Sequence, residues 1–333
     1  MSLPPWLQGQ LQAIHALFRT NSAPLLIAGS DGLGLFELMR AYLAFQLCES
    51  NVKSHFQPCG TCAACAMVQT SNHPDCRTVV PQAEAVARNW PVDLKSGVKP
   101  SHEIRVDDVR ELQSYFNTAS SRGAERFVLI YPFDALNLNA ANALLKSLEE
   151  PSHQLRFVLV GERLDSLLPT IRSRCSVYHA QRPSLAEASE WLAKLGVSQP
   201  ELALTLAGMN PFLAQALALE RTEELDLRKK WIDWLASPEQ HGIWPNQVEK
   251  LGLQVLIDLA LRLVHDLVAV AHQRPCEHFA WLAPRLLWAR RIQLKILSQV
   301  GHQLQTEMKD ADHPLNPRLS LEFLAQSWQT LSA

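Results

Sequence analysis

The sequence predicts an α/β protein in which a parallel sheet, covered by helices on both faces, is followed by domains built from helices alone. Two observations carry that prediction. Up to about residue 180, short apolar runs of strand length alternate with segments whose apolar side chains recur at helical spacing. From about residue 183 the strand signal stops, and amphipathic helical patterns fill the rest of the 333 residues. A chain of this length exceeds a typical single core. The pattern divides it into a sheet domain over residues 1–180, a small helical unit over 181–222 and an all-helical domain over 223–333.

"PLLIAG" (24–29) reads as the first buried strand and leads through Gly29, Gly32 and Gly34 into a helix over 35–48. After a cysteine cluster, "CRTVVP" (76–81) is a second strand, and the Pro- and Lys-containing stretch 82–102 reads as a loop. "IRVDDVRELQSYFNTA" turns from strand into helix, with Asp107 as its cap. "ERFVLIY" (125–131) and "LRFVLVG" (155–161) are further buried strands, and between them "NLNAANALLKSLEEP" (137–151) has a helix start at Asn137 and a stop at Pro151. Beyond the sheet, the helical unit breaks at "GMNP" (208–211). Trp231, Trp234, Trp281, Trp288 and Trp328 on the later helices are expected to anchor cores or interfaces rather than to bind a cofactor.

The composition is that of an ordinary globular protein, with 47% hydrophobic residues and a formal net charge of −2. Such a balance excludes a strongly basic, free-standing nucleic-acid binder. The start, "MSLPPWLQGQLQAIHALF", has no basic region followed by a continuous apolar core, and no stretch approaches the roughly 20 apolar residues a bilayer span requires. A cytoplasmic protein without membrane partners is expected. Seven cysteines, an odd number, do not suggest a disulfide framework and point first to metal ligation.

The turn after the first strand has the frame of a phosphate loop, GxxxxGK[ST]. Such a loop needs backbone N–H groups around the phosphates, a lysine to neutralise them and a hydroxyl to hold magnesium. Gly29 and Gly34 match the glycine spacing, yet Leu35 and Phe36 stand where the lysine and hydroxyl belong. A strand that should end in acidic residues, for magnesium and the attacking water, ends in Tyr131 and Pro132. Asp134, just beyond, reads as a turn or capping residue. After the next strand, Gly161 and Glu162 take the place of a polar sensor residue. These losses predict a degenerate loop that neither binds nor hydrolyses ATP.

"CGTCAAC" supplies Cys59, Cys62 and Cys65 as two overlapping CxxC units, with Gly60 allowing the tight knuckle. Zinc takes four such ligands in a tetrahedron. Spacing alone allows Cys48, Cys76 or His73 as the fourth.

At "ANALLKSLEEP" (141–151), "LPTIRSRC" (168–175) and "VDDVRELQ" (106–113) the sequence resembles the clamp-loader branch of the AAA+ family. The likeness runs from "PPWL" (4–7) to about residue 215, and beyond that only helical character is shared. The resemblance implies an AAA+ sheet domain with an inserted zinc module (48–76), a helical lid and a helical collar. Cys48 is implied as the fourth ligand of a structural zinc ion, joining Cys59, Cys62 and Cys65. Active members, the gamma and tau subunits, keep a lysine, a threonine and an acidic pair where this chain has Leu35, Phe36, Tyr131 and Pro132. A non-hydrolysing stator is implied, with Arg174 of the Ser173-Arg174-Cys175 motif reaching the ATP of a neighbouring subunit as an arginine finger. Implied partners are gamma or tau subunits and the delta subunit, with the sliding clamp and primed DNA met through the assembled complex. Two other readings stand beside it: an active ATPase of gamma or tau type using Asp134, and a zinc-containing nucleic-acid-binding protein acting alone.

Overall fold

Three of the apolar runs become the inner strands of one parallel sheet, because strands covered on both faces need apolar side chains at every position. The fold is known from a computed structural model, which describes residues 4–30, 32–50, 56–92, 99–116, 125–150, 154–237, 244–310 and 317–329. The chain forms two compact units, Met1–Glu187 and Ala188–Ala333.

In the first unit the elements follow in order: α1 (Pro5–Thr20), β1 (Leu25–Ala28), α2 (Leu35–Leu47), α3 (Ala63–Gln69), β2 (Cys76–Val79), α4 (Gln82–Ala87), α5 (Val106–Phe116), β3 (Arg126–Ile130), α6 (Leu138–Glu149), β4 (Leu155–Gly161), α7 (Pro169–Arg172) and β5 (Ser176–His179). The strand order is β2-β3-β4-β1-β5, with every pairing parallel. Leu26, Ala28, Val128, Ile130, Phe157 and Leu159 face one core, which Val109, Leu112, Leu144 and Leu148 of α5 and α6 complete. On the sheet's other face Phe18 of α1 meets Phe127 of β3 at 6.1 Å between ring centroids. Chain order reverses about β1, and the crevice beyond the carboxyl end of such a strand is where open α/β sheets place their sites.

Asn137 caps α6 as expected, its side chain accepting the Ala140 N–H at 2.9 Å; Pro151 lies outside the described residues. Three expectations need correction. The stretch 82–102 is not all loop, since α4 occupies Gln82–Ala87 behind Pro81, whose φ of −56° suits a helix start. Asp107 is not the cap of α5: the Asp108 carboxylate accepts the Arg105 N–H at 2.6 Å, and Asp107 instead pairs with Arg110 at 3.2 Å. Ile104 contributes only an isolated bridge to Leu136. The sheet also gains β5, which carried no strand signal.

In the second unit α8 (Leu185–Lys194), which starts at the end of the first, α9 (Pro200–Leu206) and α10 (Pro211–Leu219) share a small core of Ala188, Leu192, Leu204, Ala214 and Leu217. The break between α9 and α10 has a local cause: Gly208 and Met209 adopt positive φ of 68° and 62°, and the Asn210 side chain caps α10 by accepting the Leu213 N–H at 2.8 Å. Then α11 (Thr222–Leu235), α12 (Leu253–Ala271), a 3-10 stretch at Ala280–Arg291, α13 (Leu294–Asp310) and α14 (Pro317–Gln329) enclose a larger core. Trp231 and Trp328 are fully buried there, each donating its indole N–H to a backbone carbonyl, of Leu256 and Leu235 respectively. Trp281, by contrast, is 39% exposed. No single helix among the described residues is long and apolar enough to cross a membrane.

Candidate functional site

The loop after β1 lies at the carboxyl edge of the sheet, tied to its neighbours by Gly29 N–H to the Gly161 carbonyl (3.0 Å) and Ala180 N–H to the Ala28 carbonyl (2.7 Å). Gly32 and Gly34 take the left-handed conformation, at φ 79° and 76°, which a side chain would strain, and Gly34 opens α2 as its N-cap. The frame is therefore a folded one. Apolar side chains pack closely around its first glycine. Leu35 is 5% exposed, and its Cδ1 comes so close to Gly29 that a Cβ there would sit 2.7 Å away. Leu33, 1% exposed, packs beside it.

Phe36 is buried at 1% exposure and stacks on Tyr131, with centroids 4.4 Å apart and planes 25° from parallel. Arg88 lies over the Phe36 ring at 4.2 Å, held by the Glu37 carboxylate at 2.9 Å and that of Glu84 at 2.7 Å. Trp90 flanks Phe36 at 6.1 Å, and Arg40 lies 4.8 Å over Trp90. A hydroxyl at position 36 and an acid at position 131 would face a metal ion from these two places; here two aromatic rings fill the gap.

Asp134 acts as a cap. Its carboxylate accepts the backbone N–H groups of Glu162 and Arg163, both at 2.7 Å, and the Ser166 hydroxyl at 3.2 Å. These donors take three of a carboxylate's roughly four lone-pair sites and fix it as a cap for the turn at 162–166.

The other end of α2 carries the cysteine cluster. Cys48 is the C-cap of α2 and Cys62 the N-cap of α3. Gly60, at φ 73°, makes the knuckle turn between them. The sulfurs of Cys48, Cys59, Cys62 and Cys65 all lie within 4.8 Å of one another, with Cys48–Cys62 at 4.0 Å and Cys59–Cys65 at 3.9 Å. Four thiolates at about 2.3 Å from one ion would sit ~3.8 Å apart, so the residues fit a tetrahedral metal. Backbone N–H groups already point at the sulfurs: Cys59 to Cys48 Sγ (3.5 Å), Cys62 to Cys59 Sγ (3.4 Å) and Cys65 to Cys62 Sγ (3.5 Å). Those of Thr61 and Cys62 draw the Cys59 thiol down to about 6, while burial pushes Cys65 up to about 12. Of the three candidates for fourth ligand, the fold brings in Cys48. Cys76 is in β2, and His73 accepts the Asp75 N–H at 3.0 Å.

Arg174 sits elsewhere. It lines an open depression with Ser22, Pro24, Leu148 and Glu149, beside the amino end of β1. The loop that begins at Gly29 leaves the carboxyl end of that strand, so the four residues of β1, about 13 Å of chain, lie between them. The Arg174 guanidinium donates to the Thr170 carbonyl at 2.7 Å and pairs with the Glu149 carboxylate. Cys175 packs at the edge of the sheet core, where burial raises its thiol to about 11.

Sequence reasoning located the glycine frame, the cysteines and Arg174, but missed Arg88, Trp90 and Glu149. Arg88 and Trp90 fall in the stretch read as loop; the only signal was an arginine two residues from a tryptophan in a chain segment otherwise poor in both. Glu149 was seen as part of a motif and not as the partner of Arg174.

The family profile described as "DNA polymerase III, delta subunit" matches residues 8–184, more than half of the chain. A DNA polymerase III subunit delta' of Pseudomonas aeruginosa is 34% identical over 224 residues, covering 64% of this chain and 60% of that protein. The match thus spans less than two thirds of that relative's length. The subunit delta' of Escherichia coli is 30% identical over 245 residues, covering 72% of this chain and 67% of that protein. Among solved structures, a DNA polymerase III gamma subunit-related protein of Thermotoga maritima aligns with a TM-score of 0.50 at 18% identity, over 97% of this chain and 100% of that one. The likeness is one of fold, and the fold is the α/β AAA+ architecture.

Proposed function

Because the chain belongs to the DNA polymerase III delta subunit family, we propose that it is a delta-prime-type stator of a clamp loader, helping to place the sliding clamp on primed DNA without hydrolysing ATP itself. The observation that carries this reading is the apolar and aromatic packing at the phosphate loop. Leu35 fills the space beneath Gly29, and the stacked rings of Phe36 and Tyr131 stand where a magnesium ion would be held. Neither Leu35 nor Phe36 offers charge or a metal ligand. Asp134, the acid nearest to a catalytic role, is engaged as a cap.

The placement of Arg174 supports a role in trans. It lies at the opposite end of β1 from its own loop, so its guanidinium serves a neighbour's nucleotide, on a gamma or tau subunit. A guanidinium stays charged and contacts phosphate oxygens in bidentate fashion as charge redistributes. Cys48, Cys59, Cys62 and Cys65 would hold a structural zinc ion, which supplies no chemistry and fixes the knuckle to the end of α2. Residues 181–222 act as the lid, and 223–333 as a collar that packs against the other subunits, delta included.

The test is a titration of the purified chain with fluorescent Mg-ATP, followed by turnover at saturating nucleotide. No binding and no turnover are expected. Specific binding with turnover would overturn the reading and make the chain a motor.

A further inference from the structure

The second unit brings together metal-ligating side chains that the proposed function does not use. His265 and Asp266 are neighbours on α12, and the chain returns through residues 272–279 to set His278 against them. A ring nitrogen of each histidine and a carboxylate oxygen of Asp266 lie within 4.8 Å of one another. The two rings meet edge to face, with centroids 5.3 Å apart. Glu277 adds an oxygen donor on the solvent side, 4.0 Å from His265 Nδ1.

Asp266 is the fixed member of the group. It is 0% exposed, and backbone N–H groups hold it in place: those of Glu277 (2.8 Å) and His278 (3.0 Å) donate to Oδ1, and that of Phe279 (2.6 Å) to Oδ2. A carboxylate has about four lone-pair sites, so one remains on Oδ2. The nearest candidate cation on the helix, Arg262, is turned to Asp258 and to the Thr205 carbonyl at 2.7 Å. A carboxylate withdrawn from water and held, among the described residues, by backbone dipoles gains from a cation at its open lone pair.

We propose that His265, Asp266 and His278 form a binding site for a divalent transition-metal ion of zinc type, with Glu277 or water as the fourth donor. Two imidazoles and a carboxylate are a nitrogen-oxygen set suited to zinc, nickel or cobalt, whereas magnesium and calcium ask for oxygen alone. Donors around a tetrahedral ion lie about 3.4 Å apart, so atoms within 4.8 Å of one another need close by at most about 1.4 Å. The side chains with freedom to close are those in solvent: His265 is 54% and Glu277 64% exposed. The ion would clip the loop after α12 to the helix and so fix the entry to Ala280–Arg291.

The experiment uses the full chain with its cysteine cluster already loaded with zinc, titrated with cobalt(II). One further equivalent is expected, showing d–d absorption without a thiolate-to-cobalt band and raising the melting temperature. His265→Gln and His278→Gln should each weaken this equivalent by about tenfold or more while leaving the first unchanged. If His278→Gln does not fold, His265→Gln, on an exposed side chain, decides alone. Saturation without a further equivalent, uptake indifferent to the substitutions, or a thiolate band implicating Cys276 would each overturn the proposal.

Discussion

The rings of Phe36 and Tyr131 stack 4.4 Å apart, so the residue at the hydroxyl position of the phosphate loop and the residue closing β3 hold each other in place. In the sequence these are two separate losses, 95 positions apart; in the fold they are one contact. Phe36 stands in the first turn of α2 and Tyr131 directly follows β3, and their stack closes the space between helix and strand end.

Phe36→Ala should therefore unfold the protein more easily. A fully buried phenylalanine replaced by alanine costs about 3–5 kcal/mol through lost transfer energy and the cavity left behind. Urea denaturation of the full chain measures it, and a loss below about 1 kcal/mol would mean the stack contributes no packing.

Arg174→Ala should separate stability from function. The Arg174–Glu149 pair is partly solvated, with side chains 32% and 46% exposed, and such pairs contribute about 0–1 kcal/mol. Thermal unfolding of the isolated chain should barely move. If Arg174 acts in trans as proposed, DNA-stimulated ATP turnover of the reconstituted complex should fall, by up to about three to five powers of ten at that interface. Glu149→Gln frees the guanidinium without removing it and should leave turnover at or above the wild-type level.

Metal capture by the four cysteines should depend on pH with a defined sign. Cys59 is ionised above about pH 6, whereas Cys65 keeps its proton to about 12, so an ion entering at neutral pH must displace the Cys65 proton. Affinity should rise with pH and collapse as pH falls through about 6, where Cys59 is protonated too. Zinc competition with a chelator across pH 5 to 8 reads this out, and a flat profile would contradict it. In the metal-free protein Cys59 should be alkylated ahead of Cys65.

Asp134→Ala should cost stability without altering the chain's response to nucleotide. The substitution orphans the N–H groups of Glu162 and Arg163, at roughly 1–3 kcal/mol for a group left unsatisfied. A change in Mg-ATP binding on this substitution would give Asp134 a role beyond capping.

Legibility in the sequence followed the physics of each element. β1, β3 and β4 were readable because strands covered on both faces are apolar throughout. β5 was not, since an edge strand of four residues with alternating burial resembles a loop. α4, six residues long, is too short to show a period. At the site, the residues that left could be read from Leu35, Phe36, Tyr131 and Pro132. The residues that replaced them could not, because Arg88 and Glu37 meet across 51 positions and carry no local pattern.

At the phosphate loop Leu35 and Phe36 are buried, and α2 is tied at its far end by Cys48 and along its length by Arg40, whose guanidinium donates to the Val68 and Gln69 carbonyls of α3. Under the proposed function, such a helix would keep one position through its neighbours' ATP cycle. In a ring whose other members change state, it would supply the origin from which their displacements are measured.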